Sequence, residues 1–155
     1  MPDEPLLRRA LDLAVASAGS GGGPFGALVA RDGAVLGEGT NRVVATADPT
    51  AHAEVVALRA ACAAAGTHVL DGCVLVTSCE PCPMCLAAAW WARVDRVVFA
   101  ATRVQAAAAG FDDAAIYAEV AAPLDARRLP IGRALEDASG EPFAAWAANP
   151  ARSPY

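Results

Sequence analysis

Two short segments far apart in the chain limit the folds open to it: His52-Ala53-Glu54 and Pro81-Cys82-Pro83-Met84-Cys85. One histidine and two cysteines are the ligands zinc takes in a tetrahedral site whose fourth position stays open to water; a purely structural zinc usually has a fourth Cys or His. Open coordination lets the ion lower the pKa of bound water toward about 7. Any fold that serves these residues must bring two helix starts to one point. Cys82 and Cys85 are three apart at an expected helix start, so both sulfurs can point the same way. Pro83 suits a first turn, where its missing N–H has no partner to lose. Asp48-Pro49-Thr50 stops the preceding chain, and Thr50 is expected to cap a helix from Ala51 to about Ala65, with His52 in its first turn. Two helix N-termini facing one ion would also stabilise thiolates through their positive dipole ends.

Glu54 lies two residues after His52, roughly 200° round a helix, so the two are not adjacent ligands on one face. Near a helix end it can still lean over the open side of the metal and move a proton from water to a leaving group. A carboxylate in an apolar pocket, its pKa raised by burial, suits that role. Each part has a plainer reading alone. C-x-x-C can be a redox pair, a lone histidine is usually a satisfied core residue, and a lone helical Glu is usually solvated. The conjunction is far more specific than its parts.

Composition narrows the partners. At 155 residues, with 55% hydrophobic and 19% charged, the chain can bury one core and is no disordered polyelectrolyte. A single domain over residues 1–155 is expected. The net charge is −5 and every basic residue is Arg; Arg127-Arg128 is only a short basic pair. No basic face is visible for a polynucleotide, so a small free substrate is expected and no nucleic acid. The longest apolar stretches, such as Ala53 to Ala65, carry charges and fall short of the roughly 20 residues a bilayer needs, so no membrane partner is expected. Met1-Pro2-Asp3-Glu4 lacks the features of a secretory signal, and the reading is a cytoplasmic protein. There, five cysteines serve as thiols and ligands rather than a disulfide framework.

Periodicity supplies the order of elements. A helix is read over Leu6 to Ala18, then a glycine-rich loop over Gly19 to Pro24 with no phosphate-loop ending. Strands follow over Phe25 to Ala30 and Ala34 to Leu36, joined by Arg31-Asp32-Gly33 with the Asp-Gly signal of a tight hairpin. Cys73 to Thr77 reads as a buried strand, Pro81 and Pro83 open the next helix, and Val94 to Ala100 holds another strand. A fifth strand is read at Leu129 to Ile131, against the prolines Pro123 and Pro130. The fold class is therefore α/β, a three-layer α/β/α sandwich around a mixed five-stranded sheet.

H-x-E followed by P-C-x-x-C is the signature of zinc-dependent deaminases, and here the chain resembles the cytidine deaminase-like superfamily over nearly its whole length. The anchors are Pro24-Phe25-Gly26-Ala27, Asn41, Asp48 through Glu54, and Thr77 through Cys85. Within the superfamily it looks most like bacterial guanine deaminases, on Trp90-Trp91-Ala92-Arg93, Ala109-Gly110-Phe111-Asp112-Asp113, Ile116-Tyr117 and a final Tyr155. The resemblance implies one zinc per subunit on His52, Cys82 and Cys85, with Glu54 catalytic. It implies a nucleobase held by Phe25, Asn41, Trp91 and Asp113, with Tyr155 closing over it, and hydrolysis of guanine at C2 to xanthine and ammonia. It also implies a homodimer whose C-terminal segment crosses between subunits, and Pro123 and Pro130 could sit in the hinge of such an exchange.

The residues allow plainer roles for some of these. Phe25 can be strand core. Of Trp90 and Trp91, one is expected to face the pocket and the other the core. Asp112-Asp113 can cap a helix over Ala114 to Val120, Tyr155 can be a frayed end, and Cys79 is read as packing rather than a fourth ligand. Arg103-Val104-Gln105 departs from the more acidic stretch common in guanine deaminases. The alternatives are a deaminase of another amino-heterocycle (ammeline, guanosine, cytosine or tRNA adenosine) and a non-catalytic zinc-binding module.

Overall fold

Alternate residues of one strand face two different layers, as the period-2 pleat requires. In β1 (Gly23–Arg31), Ala27 and Val29 join a buried cluster with Ala53, Ala57 and Ala61 of a helix, α3 (Ala53–Ala65). Leu28 and Ala30 point the other way, into a cluster with Ala10 of α1 (Glu4–Gly19). Helices therefore cover both faces of the sheet. These relations belong to a computed structural model, which describes residues 3–154.

β1 turns into β2 (Ala34–Asn41) through Asp32 and Gly33, with φ of 50° and 81°, the paired positive φ of the tight turn that matches strand twist. β1 also pairs antiparallel with β3 (Cys73–Cys79), which pairs parallel with β4 (Arg96–Ala101), giving the order β2-β1-β3-β4. All of β3 is buried, which explains its continuous apolar run. A short helix, α2 (Val43–Thr46), follows β2, and α4 (Pro83–Trp91) makes the crossover from β3 to β4. Beyond β4 come α5 (Arg103–Ala108) and α6 (Ala114–Ala121), then 3-10 turns at Leu124–Ala126 and Glu136–Ala138, and α7 (Glu141–Ala148).

Close packing on the sheet depends on small residues. A Cβ at Gly39 would overlap the Ala53 carbonyl of α3, and one at Gly26 would overlap the Ala10 carbonyl of α1. Glycine lets each helix backbone approach the sheet directly. At the far edge, Arg96 of β4 grips Asp3 bidentately, with both N–H···O distances 2.7 Å. Its planar fork matches a carboxylate, so one residue ties the start of α1 to the sheet.

The sheet has four strands among the described residues, not five. Leu129 to Ile131 forms no strand: Pro130 has no N–H to donate. The amides of Arg128 and Leu129 are instead taken by the Glu119 carboxylate at 3.1 and 2.9 Å. The chain divides into two compact units after Tyr117. The first holds the sheet with α1 to α5; in the second, no described residue is fully buried. No helix among the described residues is long and apolar enough to cross a membrane.

Candidate active site

Two helix starts converge as the motif spacing requires, with one correction. Thr50 does not cap α3. Its N–H and hydroxyl both donate to Asp48 Oδ1, at 2.8 and 2.7 Å, which closes a turn before the helix. α3 begins at Ala53, and His52 is its N-cap in extended geometry, one step ahead of the first turn. The Arg42 N–H donates to the Ala51 carbonyl at 2.9 Å, pinning this turn to the end of β2. Cys82 is the N-cap of α4, Pro83 its first residue, and Cys85 lies buried within the first turn.

The three donors meet. Cys82 Sγ and Cys85 Sγ each lie 3.5 Å from His52 Nδ1. Tetrahedral zinc, with bonds of about 2.0–2.1 Å to nitrogen and 2.3 Å to sulfur, sets nitrogen and sulfur about 3.6 Å apart. The edges observed match that figure, so the residues fit the ion. All three donor atoms lie within 4.8 Å of one another and form a single such group among the described residues. Cys79 is not in it; its Sγ lies 3.8 Å from the Thr102 carbonyl.

Glu54 is only 6% exposed, and its Oε2 accepts the Cys85 thiol at 3.4 Å. Burial pushes its pKa up. The Cys82 thiol is drawn down to about 4, first by its hydrogen bond with Cys85 and then by His52. Its neighbour Cys85 is pushed up by that same hydrogen bond and by burial. His52 is raised chiefly by its hydrogen bond with Cys82. The downward shift at Cys82 favours the thiolate, the form that binds metal.

Beside these donors lies a cavity of about 260 Å³, lined by Phe25, Asn41, His52, Glu54, Cys82 and Asp113 among others. Asn41 ends β2, and its Oδ1 accepts the Val43 N–H at 3.3 Å. The Asp112 side chain accepts the Ala114 N–H at 2.9 Å, so the turn before α6 uses the first aspartate and the second lines the cavity. Burial, then the Cys82 charge, raises the pKa of Asp113.

Trp91 is not brought to this cavity: it is 61% exposed, and Trp90, at 79%, is not core either. Both lie in the last turn of a nine-residue helix, beyond the buried face marked by Cys85 and Ala89. Tyr155 lies outside the described residues. The lining also includes residues absent from the expected contacts, among them Arg103, Phe111 and Ile116. Phe111 meets Phe25 edge to face, with ring centroids 4.9 Å apart. The signal for Phe111 and Ile116 lay in the motif around Asp113. Arg103 gave none, because the Ala-rich α5 has no apolar periodicity. Gln105 serves structure, its side chain completing a capping box with Thr102 at the start of α5.

Residues 1–101 match the family model of the cytidine and deoxycytidylate deaminase zinc-binding region. The chain belongs to that family. As a member of this deaminase family it takes zinc as its cofactor, in keeping with the donor geometry. It is 49% identical over 147 residues to the guanine deaminase of Bacillus subtilis, covering 94% of each chain. The X-ray structure of guanine deaminase from Bacillus subtilis superposes with a TM-score of 0.97 at 47% identity, covering 100% of this chain and 99% of that one. A further solved structure, a complex with 2,6-diaminopurine, matches at 40% identity and a TM-score of 0.65 over 69% of this chain and 60% of the other. This member of the deaminase family thus has a four-stranded α/β cytidine deaminase-like fold.

Proposed function

We propose that the protein hydrolyses guanine to xanthine and ammonia, with one zinc held by His52, Cys82 and Cys85. The observation that carries the reading is the convergence of the three donors, with His52, Cys82 and a buried Glu54 lining one cavity. That cavity also presents an amide and a carboxylate, Asn41 and Asp113, beside two aromatic rings.

Zinc bound there supplies a Lewis acid that makes water nucleophilic at neutral pH. Everything else is assigned to the chain. Glu54 takes a proton from the attacking water on its carboxylate and returns one to the exocyclic nitrogen, so that ammonia leaves. Its burial keeps bulk water from competing for that proton and raises its affinity for it. Phe25 and Phe111 wall the flat ring, while Asn41 and Asp113 hydrogen-bond its edge. Tyr155 is the residue we assign to closing over the base. The balance is one guanine and one water giving one xanthine and one ammonia.

The working form is a homodimer in the cytoplasm, with the C-terminal segment exchanged between subunits. Exposed Leu129, Phe143 and Trp146 support this, since apolar residues of that size are usually covered by a partner.

The test is an ammonia-release screen of guanine, guanosine, adenine, cytosine and ammeline, with zinc measured on the same preparation. Guanine should be the fastest of the five by at least tenfold. Zinc-replete protein that releases ammonia only from another of them would replace the substrate and leave the metal centre standing. Deleting Tyr155 should slow guanine turnover, and an unchanged rate would remove its closing role.

A further inference from the structure

The turn that carries the cysteines is held from two later helices at once. Glu80 Oε2 accepts the Arg103 N–H at 3.0 Å, at the start of α5. The carbonyl of Pro81, immediately before Cys82, accepts the Tyr117 hydroxyl at 3.3 Å, from α6. The circuit then closes on itself, because the Arg103 guanidinium lies 4.7 Å from the centroid of the Tyr117 ring. A cation over an aromatic face is attracted by the ring's quadrupole, and Arg adds planar stacking. The Tyr117 N–H also donates to the Asp113 carbonyl at 3.3 Å, so the ring and the cavity carboxylate share one helical turn.

Tyr117 itself does not line the cavity, whereas Arg103 and Asp113 do. It therefore touches neither the metal donors nor the base, and any effect on turnover must pass through Asp113 and the cysteine turn. We propose that Tyr117, with Arg103 stacked on its ring, is a positioning residue that holds Asp113 at a fixed reach from the cysteine turn and so sets affinity for the purine edge. This rests on the reading of Asp113 as a substrate contact. Binding groups must be held within about 0.5 Å of their working geometry by supporting contacts. Loosening one that binds ground and transition states alike raises KM and leaves kcat nearly unchanged.

The experiment compares zinc-loaded parent and Tyr117→Phe, which keeps the ring under Arg103 and removes only the hydroxyl. Zinc content should be retained. KM for guanine should rise roughly 3- to 10-fold, the range one neutral hydrogen bond supports, with kcat within about twofold. The Kd of the product xanthine, measured by calorimetry, should weaken by the same factor. Amide hydrogen exchange should quicken both at Asp113–Tyr117 and at Glu80–Cys82. Arg103→Lys, which keeps the charge but loses the planar stack, should move all readouts the same way, and serves alone if Tyr117→Phe does not fold. Unchanged exchange at both segments, or a fall in kcat at constant KM, would overturn the proposal. If the parent neither turns over guanine nor binds xanthine, the substrate reading fails, while quickened exchange in the variant would still uphold the tie.

Discussion

Glu54 stands two positions from His52, yet its carboxylate reaches the Cys85 thiol while His52 Nδ1 faces the same sulfur. His52 is the N-cap and Glu54 is inside the first turn, so they leave the backbone in different conformations and still converge. Replacing Glu54 with Gln keeps the shape and removes the proton carrier. Zinc content should stay at the parent level, and kcat for guanine should fall by roughly 10²- to 10⁴-fold, the usual range for general acid–base catalysis. Turnover at the parent rate would remove Glu54 from the proton path. At this scale the sequence was highly legible for His52, Glu54, Cys82 and Cys85, because donor chemistry and spacing are local. It was poorly legible for Arg103 and Trp91. Which way a side chain on an alanine-rich or wholly apolar helix points is decided by packing partners distant in sequence.

Elements follow the same division. The Asp32-Gly33 hairpin and the buried β3 were readable because turn chemistry and apolar runs are local signals. The expected strand at Leu129 to Ile131 failed because a proline and one carboxylate, Glu119, decide where those amides go. β2 runs on to Asn41, past the end read at Leu36, because Gly37 and Gly39 look like breakers in sequence yet serve as the contact surface for α3. Gly39→Ala should therefore destabilise the fold by roughly 1–3 kcal/mol, the usual cost of overpacking, seen as a lower denaturant midpoint. A midpoint unchanged from the parent would contradict the close approach of α3. A second prediction concerns acid. The Arg96 guanidinium holds the Asp3 carboxyl below its ordinary 3.8. A depressed folded pKa means that the stabilisation is complete above pH 3.8 and is lost as pH falls through the folded value. Asp3→Asn should thus lower stability at neutral pH and flatten the acid limb of the stability–pH curve below about pH 4. Parallel acid limbs in the two proteins would exclude this pair as a contributor.

For the whole molecule, composition gave an expectation rather than an assignment: a net charge of −5 favours a small free substrate over a polynucleotide. The substrate was legible only through resemblance, since a cavity with an amide, a carboxylate and two rings would suit several flat heterocycles. Relatives named for guanine deamination narrow that choice. The oligomer is a prediction at this scale. Sedimentation should give twice the chain mass of 15.7 kDa, and a monomer at micromolar concentration would exclude subunit exchange.

The most direct test of the central claim follows guanine to xanthine on protein carrying one zinc per chain, with ammonia quantified in parallel. Xanthine and ammonia should form one for one, cease when a chelator strips the metal, and return when zinc is restored. Xanthine formation at the same rate by metal-free protein, or none by zinc-replete protein, would contradict it.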